Sequence, residues 1–121
     1  MPFFEPRELG PKDWGQELLV AQTEHYTGKV LTMRKGESGP LQYHERKDET
    51  MHLWAGKAEL TIEVGGKLVK RPIRAGQSFH VPPGTIHRVK AIRTCVFFEA
   101  STPHYDDRVN VEERFKGDPN F

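Results

Sequence analysis

Between Lys57 and Val64 the chain alternates without a break: Ala58, Leu60, Ile62 and Val64 are apolar, while Lys57, Glu59, Thr61 and Glu63 are polar. Side chains two residues apart share a face only in an extended strand, so this segment reads as a half-buried β-strand. Gly65-Gly66 follows, and Lys67-Leu68-Val69 opens a partner strand. That order predicts a tight hairpin, whose turn needs residues at ease with positive φ.

The rest of the chain has the same short rhythm. Further candidate strands are Leu18–Gln22, Lys29–Arg34, Leu41–His44, Thr50–Trp54, Lys67–Ile73, Ser78–Val81, His87–Lys90 and Thr94–Ala100. The 11 glycines and 9 prolines are scattered along the chain, as many short strands joined by turns require. No sustained 3.6-residue period appears, although Val109–Phe115 suits one helical turn or an edge strand. Length fits one domain with one core, and no repeat or linker divides it. We expect an N-terminal arm over residues 1–17, a single all-β barrel over 18–115 and a tail over 116–121. A net charge of +1 gives no global field for nucleic acid, and no apolar run reaches membrane-spanning length. The start of the chain has neither a basic nor an apolar leader segment, and Cys95 is alone. A reduced, cytoplasmic setting is therefore the expectation.

Two polar segments stand out. The first runs Gly39-Pro40-Leu41-Gln42-Tyr43-His44-Glu45-Arg46-Lys47-Asp48-Glu49 and on to Trp54-Ala55-Gly56. Gln42 and His44 share a strand face. A charged turn at Glu45–Asp48, read as solvated, lets the chain return antiparallel and set Glu49 opposite them. Glu49, Met51 and Leu53 then point inward, with His52 and Trp54 outward. Trp54 suits either packing under the arm or a contact between two copies of the chain. The second segment runs Gly76-Gln77-Ser78-Phe79-His80-Val81-Pro82-Pro83-Gly84-Thr85-Ile86-His87. Its Pro-Pro-Gly turn aims His87 inward, while Phe79 and Val81 face the core and His80 faces out.

These segments resemble the two motifs of the cupin superfamily. Glu49 is followed after six residues by Gly56, as in the first motif; Gly76, Pro82, Gly84 and His87 match the second. Ala91 stands where the family usually has asparagine. Gln42-x-His44 departs from the commoner His-x-His and resembles the phosphomannose isomerase branch. So do Trp14-Gly15, Lys29 before Val-Leu-Thr-Met, Leu41-Gln42-Tyr43-His44, His87-Arg88 and Asp106-Asp107-Arg108-Val109. The resemblance implies a jelly-roll β-barrel (double-stranded β-helix) holding one divalent metal ion with Gln42, His44, Glu49 and His87. It implies zinc; the donor chemistry itself equally suits Mn²⁺, Fe²⁺, Co²⁺ or Ni²⁺. It also implies a carbohydrate substrate, and cupins commonly pair as homodimers.

An aldose–ketose isomerase needs a base to move a proton between neighbouring carbons. Candidates are Glu99, Lys29, Arg88 and Tyr43. Glu99 lies in the apolar run Cys95-Val96-Phe97-Phe98-Glu99-Ala100, where Phe97 and Glu99 share one face and Val96 and Phe98 the other. Sequence does not decide which face is inside. Arg46, Lys47 and Arg88 are the cations available to a substrate phosphate. The leading expectation is a metal-dependent isomerase of a sugar or sugar phosphate. The alternatives are a metal-dependent oxygenase or lyase acting on a small molecule, and a non-catalytic carbohydrate-binding module. His25, His52, His80 and His104 read as surface or capped residues, and Cys95 as an inert buried thiol.

Overall fold

The computed structural model describes residues 3–121, so Met1 and Pro2 of the expected arm lie outside it. Nine strands carry the chain: β1 (Arg7–Glu8), β2 (Gly15–Gln22), β3 (Thr27–Met33), β4 (Gln42–His44), β5 (Glu49–Val64), β6 (Lys67–Arg74), β7 (Ser78–Val81), β8 (His87–Ser101) and β9 (Arg108–Asn110). A 3₁₀ turn at Glu112–Phe115 follows, so the C-terminal segment is first strand and then helix.

The long strands β5 and β8 run antiparallel from Glu49↔Ser101 to Ile62↔His87. Each had read as two shorter strands. They are continuous because irregular register between Leu53 and Ala58 lets β5 bend without leaving the ladder. Gly56 sits in that bend at φ +98°, where a Cβ would lie 2.3 Å from the Thr94 carbonyl oxygen; no other residue fits. The free edge of β5 takes β7 along Glu49–His52 and β6 along Lys57–Val64. The other edge of β8 takes β3, and then β2 and β1 beyond it. Near its start β8 takes β4, whose far side holds β9. The bent sheet curls into a jelly-roll β-barrel. The predicted β5–β6 hairpin is present, with Gly65 and Gly66 at φ +59° and +81°.

Alternation fills the interior. Leu31, Met33, Met51, Leu53, Ala58, Leu60, Ile73, Ala91, Cys95 and Phe97 form the main core. Trp14 packs against it from within the segment expected to be an arm, and β2 starts at Gly15 rather than Leu18. Leu41, Leu68, Ile86 and Val111 form a second cluster at one side. His52 and His80 fall outside the core as parity requires, and Trp54 is 74% exposed. One expectation fails: β4 does not pair with the returning β5. It pairs with β8 and β9, so Glu49 approaches Gln42 and His44 across the barrel and not within a hairpin. Among the described residues no helix is long and apolar enough to cross a membrane.

Candidate metal centre

The barrel encloses a cavity of about 470 Å³, lined by residues of β2, β3, β4, β5, β7, β8 and β9. Three elements bring His44, Glu49 and His87 to its wall, and one donor atom from each lies within 4.8 Å of the others. Glu49 Oε1 stands 3.4 Å from His87 Nε2 and 4.0 Å from His44 Nε2. Behind each ring is an acceptor. His87 Nδ1 donates to the Thr85 carbonyl at 2.9 Å, and His44 Nδ1 donates to Asp107 Oδ1 at 3.2 Å. Asp107 stays ionised: backbone N–H groups of Arg46 and Lys47 bind its other oxygen and outweigh its partial burial, holding its carboxyl below the ordinary range. Burial, then Lys47, pushes the His44 imidazolium down, so that ring is neutral.

With Nδ1 of both rings committed to acceptors, both Nε2 atoms are turned toward the same carboxylate oxygen. Three atoms able to ligate a cation converge, and a divalent ion there would take the place of the proton that His87 and Glu49 otherwise share. Gln42 also lines the cavity, and its Oε1 is buried without a hydrogen-bond partner among the described residues. An orphaned buried carbonyl costs about 1–3 kcal/mol, which coordination would offset. Two imidazole nitrogens, one carboxylate and one amide oxygen suit a divalent ion of the zinc or manganese kind.

Beside this cluster lies a second carboxylate. Glu99, on β8 one row from Phe97, is inside and almost fully buried. Burial, then the nearby charge of Glu49, raises its carboxyl above the ordinary range. Lys47 bridges the two acids, with Nζ 2.9 Å from Glu49 Oε2 and 3.0 Å from Glu99 Oε2. Burial opposes the charge of this lysine, but Glu99 and Glu49 outweigh it and keep the ammonium ion fully protonated. Burial likewise opposes ionisation of Glu49; the contacts to His87 and Lys47 prevail and hold it well below the carboxylate range. Removing one partner from such a buried group costs about 3–5 kcal/mol.

The turn at Glu45–Asp48 is therefore not all solvated: Arg46 is exposed, but Lys47 is only 9% exposed. Lys47 stands two residues before Glu49, on the same face by simple alternation, and that was the available signal. Asp107 carried no such signal, because its role depends on β9 lying beside β4. Lys29 lines the cavity but is paired with Glu17 at 2.9 Å. Two further candidates make contacts elsewhere. Tyr43, between Gln42 and His44, points the opposite way into the second apolar cluster, with the Arg114 guanidinium over its ring. Arg88 borders the cavity, yet its guanidinium donates to the carbonyl oxygens of Asn120 and Phe121 and lies over the Phe121 ring. Cys95 is buried, as expected, and burial pushes its thiol up.

The barrel is similar to KdgF from Halomonas sp., with a TM-score of 0.73 and 24% identity over 84% of this chain and 89% of that one. It is similar also to the capsular polysaccharide assembling protein CapF from Staphylococcus aureus (TM-score 0.78, 14% identity, 90% of this chain and 32% of that one). A third likeness is to Bacillus subtilis oxalate decarboxylase, a protein with Mn(II) centres (TM-score 0.74, 19% identity, 90% and 31%). The chain spans about a third of the length of the last two. At these identities the likeness is one of fold. No curated relative matches the chain. The cupin domain model matches residues 29–97, more than half of the sequence and both motif segments, and the chain belongs to the cupin family.

Proposed function

We propose that the chain holds one divalent metal ion with Gln42, His44, Glu49 and His87 and isomerises a sugar or sugar phosphate by proton transfer between neighbouring carbons. The observation that carries this reading is the pairing of the convergent donor cluster with a separate buried carboxylate, Glu99, in the same cavity. A divalent ion held there supplies Lewis-acid polarisation of a carbonyl, with zinc the choice that the phosphomannose isomerase resemblance favours. Glu99 takes the C2 proton of an aldose and returns it at C1, while the hydroxyl proton passes from O2 to O1. Lys29, fixed by Glu17, and Lys47 set positive charge beside the oxygens as they become negative. Of the cations expected to receive a phosphate, Lys47 and Arg88 have other partners, and Arg46 is exposed and does not line the cavity. Arg108 takes that role instead: it lies on the cavity wall, opposite His44 in register, and makes no ion pair among the described residues. The expected homodimer would form on the outer face, where Trp54 and the 42% exposed Phe98 stand on neighbouring strands.

The test is proton NMR in D₂O on protein loaded in turn with Zn²⁺, Mn²⁺ and Fe²⁺, given free and phosphorylated aldoses and ketoses. Deuterium entering C1 or C2, and its loss in E99Q, is the expected result. Metal-loaded protein that exchanges no deuterium across the panel contradicts the isomerase reading and favours an oxygenase, a lyase or a binding module.

A further inference from the structure

The two acids of the cavity are too close for both to be indifferent to a bound ion. Glu49 Oε2 and Glu99 Oε2 each lie about 3 Å from the same lysine nitrogen, so the two oxygens are within about 6 Å of each other. A flexible carboxylate at that range is an obvious extra ligand for a divalent cation. Two features of the structure oppose this. Glu49 is split: Oε1 faces the histidines, and Oε2 faces Lys47. Glu99 is held away by two donors, Lys47 Nζ and Ser101 Oγ, the latter at 3.1 Å. Ser101 Oγ is itself 2.6 Å from Thr27 Oγ1 on the adjacent strand, so this side of Glu99 is anchored to the sheet.

We infer that Lys47 is a positioning residue that keeps Glu99 out of the metal's coordination shell and so leaves it free to carry a proton. The inference rests on the metal-dependent reading given above, and it assigns the buried lysine a task that reading did not require. An ammonium ion suits the task because it is a compact cation that offers protons in several directions and has no lone pair for the metal. The same contact with Glu49 Oε2 limits that ligand to one oxygen, which keeps a coordination position open for substrate. Lys47 is itself fixed from behind, since its backbone N–H binds Asp107 Oδ2 at 2.8 Å. The carboxylate that orients His44 thereby also seats the lysine.

The test loads wild type, E99Q, K47M and K47R with Co²⁺ and reads affinity and visible absorption, which depends on coordination number. If Glu99 stays off the ion, E99Q binds Co²⁺ within about threefold of wild type and with the same spectrum, because no ligand has been lost. K47M, freed of the bridging cation, binds Co²⁺ about tenfold or more tightly, and its visible bands weaken as a carboxylate joins the shell. K47R keeps a cation between the acids and shows the wild-type bands. The inference is overturned if E99Q loses tenfold or more in Co²⁺ affinity, for Glu99 is then a ligand. It is equally overturned if folded K47M binds Co²⁺ with wild-type affinity and spectrum. Should K47M fail to fold, the E99Q titration decides alone. Wild-type protein that takes up no Co²⁺ brings down the metal reading itself, a result distinct from both.

Discussion

Leu53 and Phe97 face each other across β5 and β8, and both are completely buried. One row further along the same face, Met51 faces Glu99, and the next row pairs Glu49 with Ser101. Backbone, parity and burial are alike in these rows, but the chemistry is opposite. The Phe97 row is held by close packing of apolar groups, edge to face with Phe79. The Glu99 row buries three charged side chains that are stable only because they compensate one another, and beside them three potential metal-ligand atoms converge. One barrel thus has a stretch held by apolar packing alone and a stretch held by mutually compensating polar groups, with ligand atoms gathered on one side. That is how a rigid scaffold comes to hold a reactive site.

Substitutions that act on one row and spare the other test this contrast. The largest effect should come from Phe97→Ala, which opens a cavity in the apolar row. It should cost about 3–5 kcal/mol, read as a lower urea midpoint, while the folded protein still binds one metal ion per chain. His44→Ala or His87→Ala should do the reverse. Metal affinity should fall by more than about a hundredfold, and the metal-free fold should persist with a lower melting temperature. For the same reason a chelator should lower the melting temperature of wild type but leave that of His87→Ala unmoved. Asp107→Asn keeps the shape behind His44 but removes the charge, and a loss of about tenfold in metal affinity is expected by calorimetric titration. The smallest effect belongs to His52→Ala. That ring faces outward and binds only Ser78 Oγ, so metal content should not change; its loss would break the alternation argument.

Alternation made much of this legible in sequence. It placed Glu49, Met51 and Leu53 inside and His80 outside, and it grouped Glu99 with Phe97, leaving only the choice of face to the structure. Motif spacing brought Gln42, His44, Glu49 and His87 together although 45 residues separate the first from the last. Long-range pairing was not legible. Whether β4 lies against β5 or against β8 depends on how two long strands bend, and Gly56 reveals that bend only once Thr94 is seen beside it. Lys47 was hidden by its company, because four charged residues in a row read as a solvated turn. Its burial became intelligible only when Glu99, from the far end of the chain, was found waiting beneath it.

The most direct measurement of the central claim is metal content after dialysis, by elemental analysis, for wild type, His44→Ala and His87→Ala prepared side by side. One divalent ion per chain in wild type, and little or none in either variant, is the predicted result. Full stoichiometric metal in both variants would contradict the assignment of this cluster as the metal site.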